Sequence, residues 1–129
     1  FGTALNYGLA FRATVNDFDV AVKSVDAAKE PIGVVMLQAE ARIYEELRDL
    51  WGKCIPALVF AKRMNFCRYT IAATYAGQTL ERDATLLTLD NYEQTVSAVR
   101  ARHKAGYVHG DLAARNIAVK NGKVLLIDL

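Results

Sequence analysis

The stretch that decides the fold is HGDLAARN at residues 109–116, followed by two short apolar runs around Asn121-Gly122 and then by Asp128. An Asn-Gly pair between apolar runs is a strong signal for a β-hairpin with a two-residue turn. Counting back from that turn along both strands sets Asn116 opposite Ile127. Asp128 is therefore predicted to lie beside Asn116, at the open end of the hairpin.

The predicted open end of this hairpin carries oxygen ligands. The carboxylate of Asp128 and the amide oxygen of Asn116 are the ligand types that Mg²⁺ prefers, together with phosphate oxygens. Asp111, in the loop before the hairpin, is close enough along the chain to reach the same space. The sequence therefore predicts a magnesium site built on this loop and hairpin.

Two residues further upstream also stand out, one in a predicted strand and one in a predicted helix. Alternation along residues 18–25 puts Lys23 on the same strand face as Ala21. Glu40 falls within the apolar stripe of the helix, where an unpaired carboxylate would be costly. We expect Lys23 to be the cationic partner of Glu40, with Glu45 as the alternative if the helix register differs.

Hydrophobic periodicity divides the rest of the chain into short strands and two helices. Strands are predicted at residues 3–14, 18–25, 57–61, 66–73, 117–119 and 124–127, with a turn at Asn16-Asp17. One helix is predicted from Pro31 to a stop at Gly52, and another over residues 91–105. The inward stripe expected on the first helix is Met36, Ile43, Leu47 and Leu50, with Leu37, Ala41 and Tyr44 beside it. On the second helix it is Tyr92, Val96, Val99 and His103. His103 is thus expected to be buried.

Taken together, these residues resemble the signature set of the protein kinase-like superfamily. The resemblance rests on Ala21-Val22-Lys23 in a strand, Glu40 in a helix, the loop at 109–116 and Asp128 after a strand, in that order. A single His-Gly-Asp would be weak evidence, whereas the whole series spans nearly the entire chain. The resemblance implies an α+β fold of the protein kinase-like type.

The same resemblance implies how the chain is organised. Residues 1–73 would form an N-lobe with an antiparallel sheet and one helix, residues 74–78 the hinge, and residues 79–129 the first part of a C-lobe. The chain opens at Phe1-Gly2 and stops just after Asp128. It is therefore expected to be a single, incomplete kinase-like domain from something longer.

In the family that the sequence resembles, ATP and Mg²⁺ are the cofactors and a few side chains carry phosphoryl transfer. The resemblance implies that Lys23 holds the α and β phosphates and pairs with Glu40. It also implies that Asp111 accepts the proton of the substrate hydroxyl and that Arg115 supplies positive charge to the γ-phosphate. The metal ligands that it implies are Asn116 and Asp128.

The resemblance places the nucleotide against the N-lobe and the hinge. It implies that Ala21 lines the adenine pocket and that the backbone near Ala73 and Tyr75 binds the adenine edge. Phe1-Gly2 is similar to the tail of a glycine-rich phosphate loop, so Gly2 is expected to contact the nucleotide. These residues predict where ATP would bind.

Departures from the usual kinase motif leave the phosphate acceptor open. Gly110 replaces the arginine that usually precedes the catalytic aspartate, as in atypical kinases and small-molecule phosphotransferases of the same fold. Residues 112–115 instead resemble tyrosine kinases. The leading interpretation is transfer of the γ-phosphate of ATP to a protein hydroxyl, with serine or threonine favoured. The alternatives are a kinase for a small hydroxyl-bearing molecule and a catalytically inactive, pseudokinase-like binding module.

Composition argues against several other classes of protein. With 53% hydrophobic and 23% charged residues among 129, the chain suits one globular domain. The net charge of +2 comes from scattered charges, so no nucleic-acid partner is expected. Its apolar stretches are too short for a membrane span, and Cys54 and Cys67 lack the pattern of a zinc site or a disulfide scaffold. We expect a cytoplasmic protein with reduced, packed thiols and no membrane partner.

Overall fold

The chain folds into two units. The structure is a computed structural model, and it describes residues 4–5, 8–65, 67–108 and 112–128. The first unit is formed by Phe1–Glu46 with Ala57–Tyr75, and the second by Leu47–Pro56 with Ala76–Leu129. The chain therefore leaves the first unit after residue 46, returns at residue 57 and leaves again after residue 75. Each unit has its own antiparallel sheet and one long helix.

The first unit is a five-stranded sheet with a helix packed against it. Its strands lie in the order β1-β2-β3-β5-β4, and every neighbouring pair is antiparallel. The buried cluster that joins helix and sheet is Val25, Val34, Leu37, Ala41 and Ile71. The elements are β1 (Ala4–Leu5), β2 (Gly8–Val15), β3 (Phe18–Asp26), α1 (Pro31–Glu46), β4 (Leu58–Met64) and β5 (Arg68–Thr74).

Strand β2 pairs with a different strand on each side. The predicted turn at Asn16-Asp17 is confirmed, since both residues have positive φ, the conformation that matches the twist of hairpin strands. The prediction of one strand over residues 3–14 is wrong, because β1 and β2 are separate antiparallel strands with Leu5 opposite Gly8. Gly8 has a φ of +148°, and a β-carbon there would collide with the carbonyl oxygen of Ser24. Glycine is therefore required at the start of β2.

Helix α1 ends earlier than the sequence predicted, and it buries the row of Leu37, Ala41 and Tyr44 that was expected beside the main stripe. It ends at Glu46, well before Gly52, and the next residue, Leu47, is buried in the second unit. Met36 from the predicted inward stripe is exposed, whereas the apolar side chains buried on α1 are Val34, Leu37, Ala41 and Tyr44. The helix has apolar residues on two sides, so helical periodicity alone does not select the side that meets the sheet.

The second unit is a three-stranded antiparallel sheet with the other long helix. Its strands lie in the order β6-β7-β8. The predicted hairpin register is confirmed, with Ile117 opposite Leu126 and Lys120 opposite Lys123. Strand β6 was not predicted, because two residues carry no periodicity. The elements are β6 (Gln78–Thr79), α2 (Leu89–Lys104), β7 (Ile117–Lys120) and β8 (Lys123–Leu126).

Helix α2 is joined to the hairpin turn by one side chain. The Gln94 amide donates to the Gly122 carbonyl oxygen at 2.8 Å and accepts from the Val124 amide at 3.0 Å. The expected burial of His103 is wrong, since His103 is exposed and its neighbour Arg102 is buried. The buried residues of α2 are Asn91, Ala98 and Arg102, whereas Tyr92 of the predicted stripe is exposed.

Neither cysteine forms a disulfide. Burial raises the pKa of the Cys54 thiol, which suits a packed, reduced side chain, whereas Cys67 is exposed. Among the described residues, no helix combines the length and the apolar character needed to cross a bilayer.

We expect Gly77→Ala to destabilise the second unit strongly. Gly77 has a φ of +106°, and an added β-carbon would collide with the backbone carbonyl of Val119. A left-handed backbone costs about 1–2 kcal/mol for a residue with a side chain, and overpacking adds about 1–3 kcal/mol. Denaturant unfolding measures this loss in the free energy of unfolding.

Gly106→Ala is the matched control, because Gly106 also has a positive φ, +93°, but open space around it. Equal losses for the two variants would contradict a close contact at Gly77.

Candidate functional site

A short ion pair joins the sheet of the first unit to its helix. Lys23 on β3 contacts Glu40 on α1, with Nζ and Oε1 2.6 Å apart. The Lys23 side chain is 18% exposed and the Glu40 side chain 8% exposed. Glu45, the alternative partner considered from the sequence, is exposed on the same helix. A carboxylate as buried as that of Glu40 is stable only beside a cation, so the pair fixes both side chains.

The neighbours of Lys23 on the same face of the sheet are alanines on two sides and Ile71, which lies directly opposite Lys23 on β5. Ala21 precedes Lys23 by one period of the strand, and the strand register sets Ala73 of β5 directly opposite Ala21. On the other side, Ala10 of β2 lies opposite Lys23. Because alanine projects only a methyl group, Ala10 and Ala21 leave space beside the lysine stem, whereas Ile71 packs on its β5 side.

The end of the sheet nearest Tyr75 is held by Arg12, which the sequence analysis did not single out. The Arg12 guanidinium donates to the Asp19 carboxylate at 2.9 Å and lies 4.0 Å from the centroid of the Tyr75 ring. The hydrogen bond to Asp19 raises the pKa of Arg12. The Tyr75 amide donates to the Asp19 carbonyl oxygen at 3.1 Å. These contacts fix Tyr75 where the chain leaves the first unit.

Gly8 is a second residue that the sequence analysis missed. The close approach of its backbone to Ser24 puts it beside the residue that follows Lys23. Its position in the sequence could have identified it. A glycine at the start of the strand that precedes the lysine-bearing strand is typical of a glycine-rich phosphate loop.

The hairpin of the second unit brings Asn116 and Asp128 to one end. The Ile127 amide donates to the Asn116 carbonyl oxygen at 2.9 Å, so Asp128 directly follows the residue paired with Asn116. Asn116 is buried at the end of the 3₁₀ turn Ala114–Asn116, and Asp128 is exposed. The neighbour relation expected from the Asn-Gly turn is present.

Asp128 has a left-handed backbone, with a φ of +62°. This conformation is uncommon for residues with a side chain, although aspartate adopts it more often than most. It costs on the order of 1 kcal/mol, and backbone strain of this kind clusters at functional sites.

Some predicted site residues lie outside the described part of the chain, namely Gly2 and Asp111, together with His109 and Gly110 of the loop. Arg115 is exposed in the 3₁₀ turn before β7. Among the described residues, the first unit holds Ala21, Lys23, Glu40, Ala73 and Tyr75, and the second holds Arg115, Asn116 and Asp128.

The oxygen donors at the hairpin end fit a magnesium ion better than a transition metal. Asn116 and Asp128 offer only amide and carboxylate oxygens, and Mg²⁺ usually takes one or two protein carboxylates with phosphate oxygens and water. Within the described ranges, no group of three or more His, Cys, Asp or Glu residues could hold a metal by itself. The donor set therefore suits a metal that is shared with a phosphate ligand.

The RIO domain model matches residues 40–129, which is more than half of the chain and includes Glu40, the loop at 109–116 and Asp128. The chain belongs to the RIO domain family. RIO domains are an atypical protein kinase-like family, so the predicted α+β kinase-like fold is confirmed. Lys23 lies upstream of the matched segment in this RIO domain chain. No curated protein matches the chain.

Removing one member of the Lys23–Glu40 pair should destabilise this RIO domain chain. Breaking a buried ion pair lowers the free energy of unfolding by about 3–5 kcal/mol. Because Lys23 is partly exposed, we expect Glu40→Gln to lower it by only about 1–3 kcal/mol. Urea unfolding measures this free energy. Glu46→Gln, at the exposed last residue of the same helix, is the control and should change the free energy of unfolding by less than about 0.5 kcal/mol. The double variant Lys23→Met/Glu40→Leu should lose less than the sum of its single variants, and strict additivity would contradict direct pairing.

Proposed function

We propose that this RIO domain chain is an ATP-dependent phosphotransferase that moves the γ-phosphate of ATP to a protein hydroxyl, with serine or threonine as the favoured acceptor. The observation that carries the proposal is the Lys23–Glu40 pair, in which a buried carboxylate holds the lysine ammonium at 2.6 Å. Phosphoryl transfer depends on positioned charge more than on covalent chemistry. A cation fixed in this way is what the phosphates of ATP require.

In this proposal, the first unit binds the nucleotide. Lys23 binds the α and β phosphates, and Glu40 keeps the ammonium from moving to other positions. Ala21 and Ala73 support the adenine ring, because they lie opposite each other on the face that carries Lys23. The backbone at Tyr75 binds the adenine edge.

Two further features of the first unit support this assignment. The Arg12 and Asp19 contacts hold Tyr75 in place, which would orient its backbone toward the adenine edge. Gly8 allows the start of β2 to lie against the Ser24 backbone, which places this strand end beside the residue that follows Lys23. Gly2 is proposed to belong to the glycine-rich phosphate loop.

The second unit is proposed to supply the metal ligands and the groups that act on the acceptor. Asn116 and Asp128 would hold Mg²⁺, which when bound neutralises charge on the β and γ phosphates. Asp111 would accept the proton of the acceptor hydroxyl. Arg115 would place positive charge near the γ-phosphate, and its exposure leaves the guanidinium accessible to a ligand.

A small-molecule kinase is the second candidate, and Gly110 favours it. The arginine that usually occupies this position grips a phosphorylated activation loop in protein kinases, and glycine has no such group. Assays of peptides and of small alcohols as acceptors would separate the two candidates. A chain that binds ATP but transfers phosphate to neither acceptor would be the pseudokinase-like binding module.

Lys23→Met and Asp111→Asn should each lower phosphate transfer by at least about 100-fold, because each removes a charge that positions or activates a reactant. The measurement is transfer of labelled γ-phosphate from ATP to peptide and small-alcohol acceptors. Lys62→Met is the control, since Lys62 is an exposed lysine of β4 in the same sheet. Turnover like that of the wild type in Lys23→Met would refute the assignment.

Asp128→Asn should raise the Mg²⁺ concentration needed for ATP to increase the melting temperature. We expect a shift of at least about tenfold, in the range found when groups that support a metal site are removed. Asp17→Asn is the matched control, because Asp17 is also exposed and has a similar backbone, with a φ of +67°. An unchanged Mg²⁺ dependence in Asp128→Asn would remove Asp128 from the metal site.

A further inference from the structure

Helix α1 carries a second apolar stripe on a side that does not contact the sheet. Ile32 and Val35 are each 62% exposed and Met36 is 54% exposed. Ala39 and Ile43, both partly buried, continue the stripe toward the end of the helix. Large apolar side chains grouped on one helix face, rather than scattered singly, mark an interaction surface.

The stripe has the spacing of a helix-pairing seam. From Ile32 to Met36, Ala39 and Ile43 the residues recur alternately four and three positions apart, which is the heptad spacing at which two helices pack along a common line. Ala39 is small, so a second helix can approach closely at the middle of the stripe. The long, flexible side chain of Met36 suits the gap beside such a small residue.

The two ends of the seam carry opposite charges. The same spacing, extended by one step in each direction, reaches Lys29 in the turn before the helix and Glu46 at its last residue. Both side chains are exposed. Neither has an ion-pair partner among the described residues. The backbone amide of Lys29, and with it the Lys29 charge, lowers the pKa of the Asp26 carboxyl. The seam therefore ends in a cation that also acts on Asp26 and in an exposed carboxylate.

The charges at the C-terminal end of α1 oppose the helix dipole. The last turn contains no basic residue and ends with Glu45 and Glu46, whereas at the other end Glu30 directly precedes the first helical residue, Pro31. Carboxylates are unfavourable at the C-terminus of a helix and favourable beside an N-terminus. A neighbouring helix that runs in the opposite direction would place its N-terminus beside these carboxylates. The positive end of its dipole would then offset the unfavourable interaction of the carboxylates with their own helix.

We infer that this face of α1 binds α1 of a second copy of the chain, in an antiparallel pair with a two-fold axis between Leu37 and Gln38. This axis sets Ile32 against Ile43 of the second copy and Met36 against Ala39 of the second copy. It also sets Lys29 against Glu46 of the second copy, and two-fold symmetry makes each of these contacts twice. A parallel pair would instead oppose like charges at both ends, which is destabilising.

The inferred dimer is independent of the proposed phosphotransfer. The seam contains neither Lys23 nor Glu40, whose contact lies within one chain. A single helix seam is smaller than a typical interface of about 1,600 Å², so we expect a dissociation constant on the order of 10–100 μM.

Sedimentation equilibrium of the whole chain, over concentrations that span this range, tests the inference. The wild type should follow a monomer–dimer equilibrium. Met36→Lys should weaken dimerisation at least about tenfold, because it places a charge in the apolar seam of both copies. Phe18→Lys is the matched control, since Phe18 is 70% exposed in the same unit but outside the stripe, and it should leave the equilibrium unchanged. Circular dichroism melts establish that each variant is folded.

Charge reversal tests the antiparallel direction. Lys29→Glu and Glu46→Lys should each weaken the dimer, and the double variant Lys29→Glu/Glu46→Lys should recover it, because the two residues face each other across the axis. A wild-type chain that remains monomeric throughout would overturn the inference, whether the stripe then binds another protein or none. Equal effects of Met36→Lys and Phe18→Lys, or a double variant without recovery, would overturn it as well.

Discussion

The ion pair between Lys23 and Glu40 is the constraint on which the first unit depends. Because the carboxylate lies deep between helix and sheet, α1 has one rotation in which that charge is compensated. The rotation that directs Glu40 to Lys23 also turns Leu37 and Ala41 into the core and leaves Met36 outside. The proposed nucleotide site and the exposed stripe of α1 are thus two consequences of the same electrostatic contact.

Backbone conformation positions the remaining groups. The left-handed residues of the turn at Asn16-Asp17 set the register of β2 against β3. Asn121-Gly122 does the same for β7 and β8, which carries Asp128 to Asn116 in the second unit. The side chains proposed to bind phosphate and metal are therefore located by hairpins, whose geometry tolerates little variation because each turn has only two residues.

Membership of the RIO domain family and the local geometry of the first unit each support the proposed phosphotransfer, and they do so through different residues. The family match begins at Glu40 and includes the loop and Asp128, whereas Lys23 is identified by its contact with Glu40. Strands β2 and β3 lie outside the matched segment, and they contribute Ala10 and Ala21 beside Lys23 and the arginine that holds Tyr75. The contact between Lys23 and Glu40 thus connects the segment matched by the family model to an upstream strand whose proposed role rests on the structure.

The sequence by itself determined the features that depend on neighbouring residues. Asn-Gly and Asn-Asp specified two hairpin turns, and strand alternation placed Lys23 on the same face as Ala21. The loop at 109–116 indicated the fold. These features could be predicted because turn geometry and motif spacing are local properties of the sequence. Only the tertiary structure decided which side of α1 faces the sheet, where that helix ends, that Gly8 separates β1 from β2, and that Arg12 stacks on Tyr75. These features depend on contacts between residues far apart in the chain. The apolar pattern of α1 was compatible with two rotations, and burial of the Glu40 carboxylate beside Lys23 selected one of them.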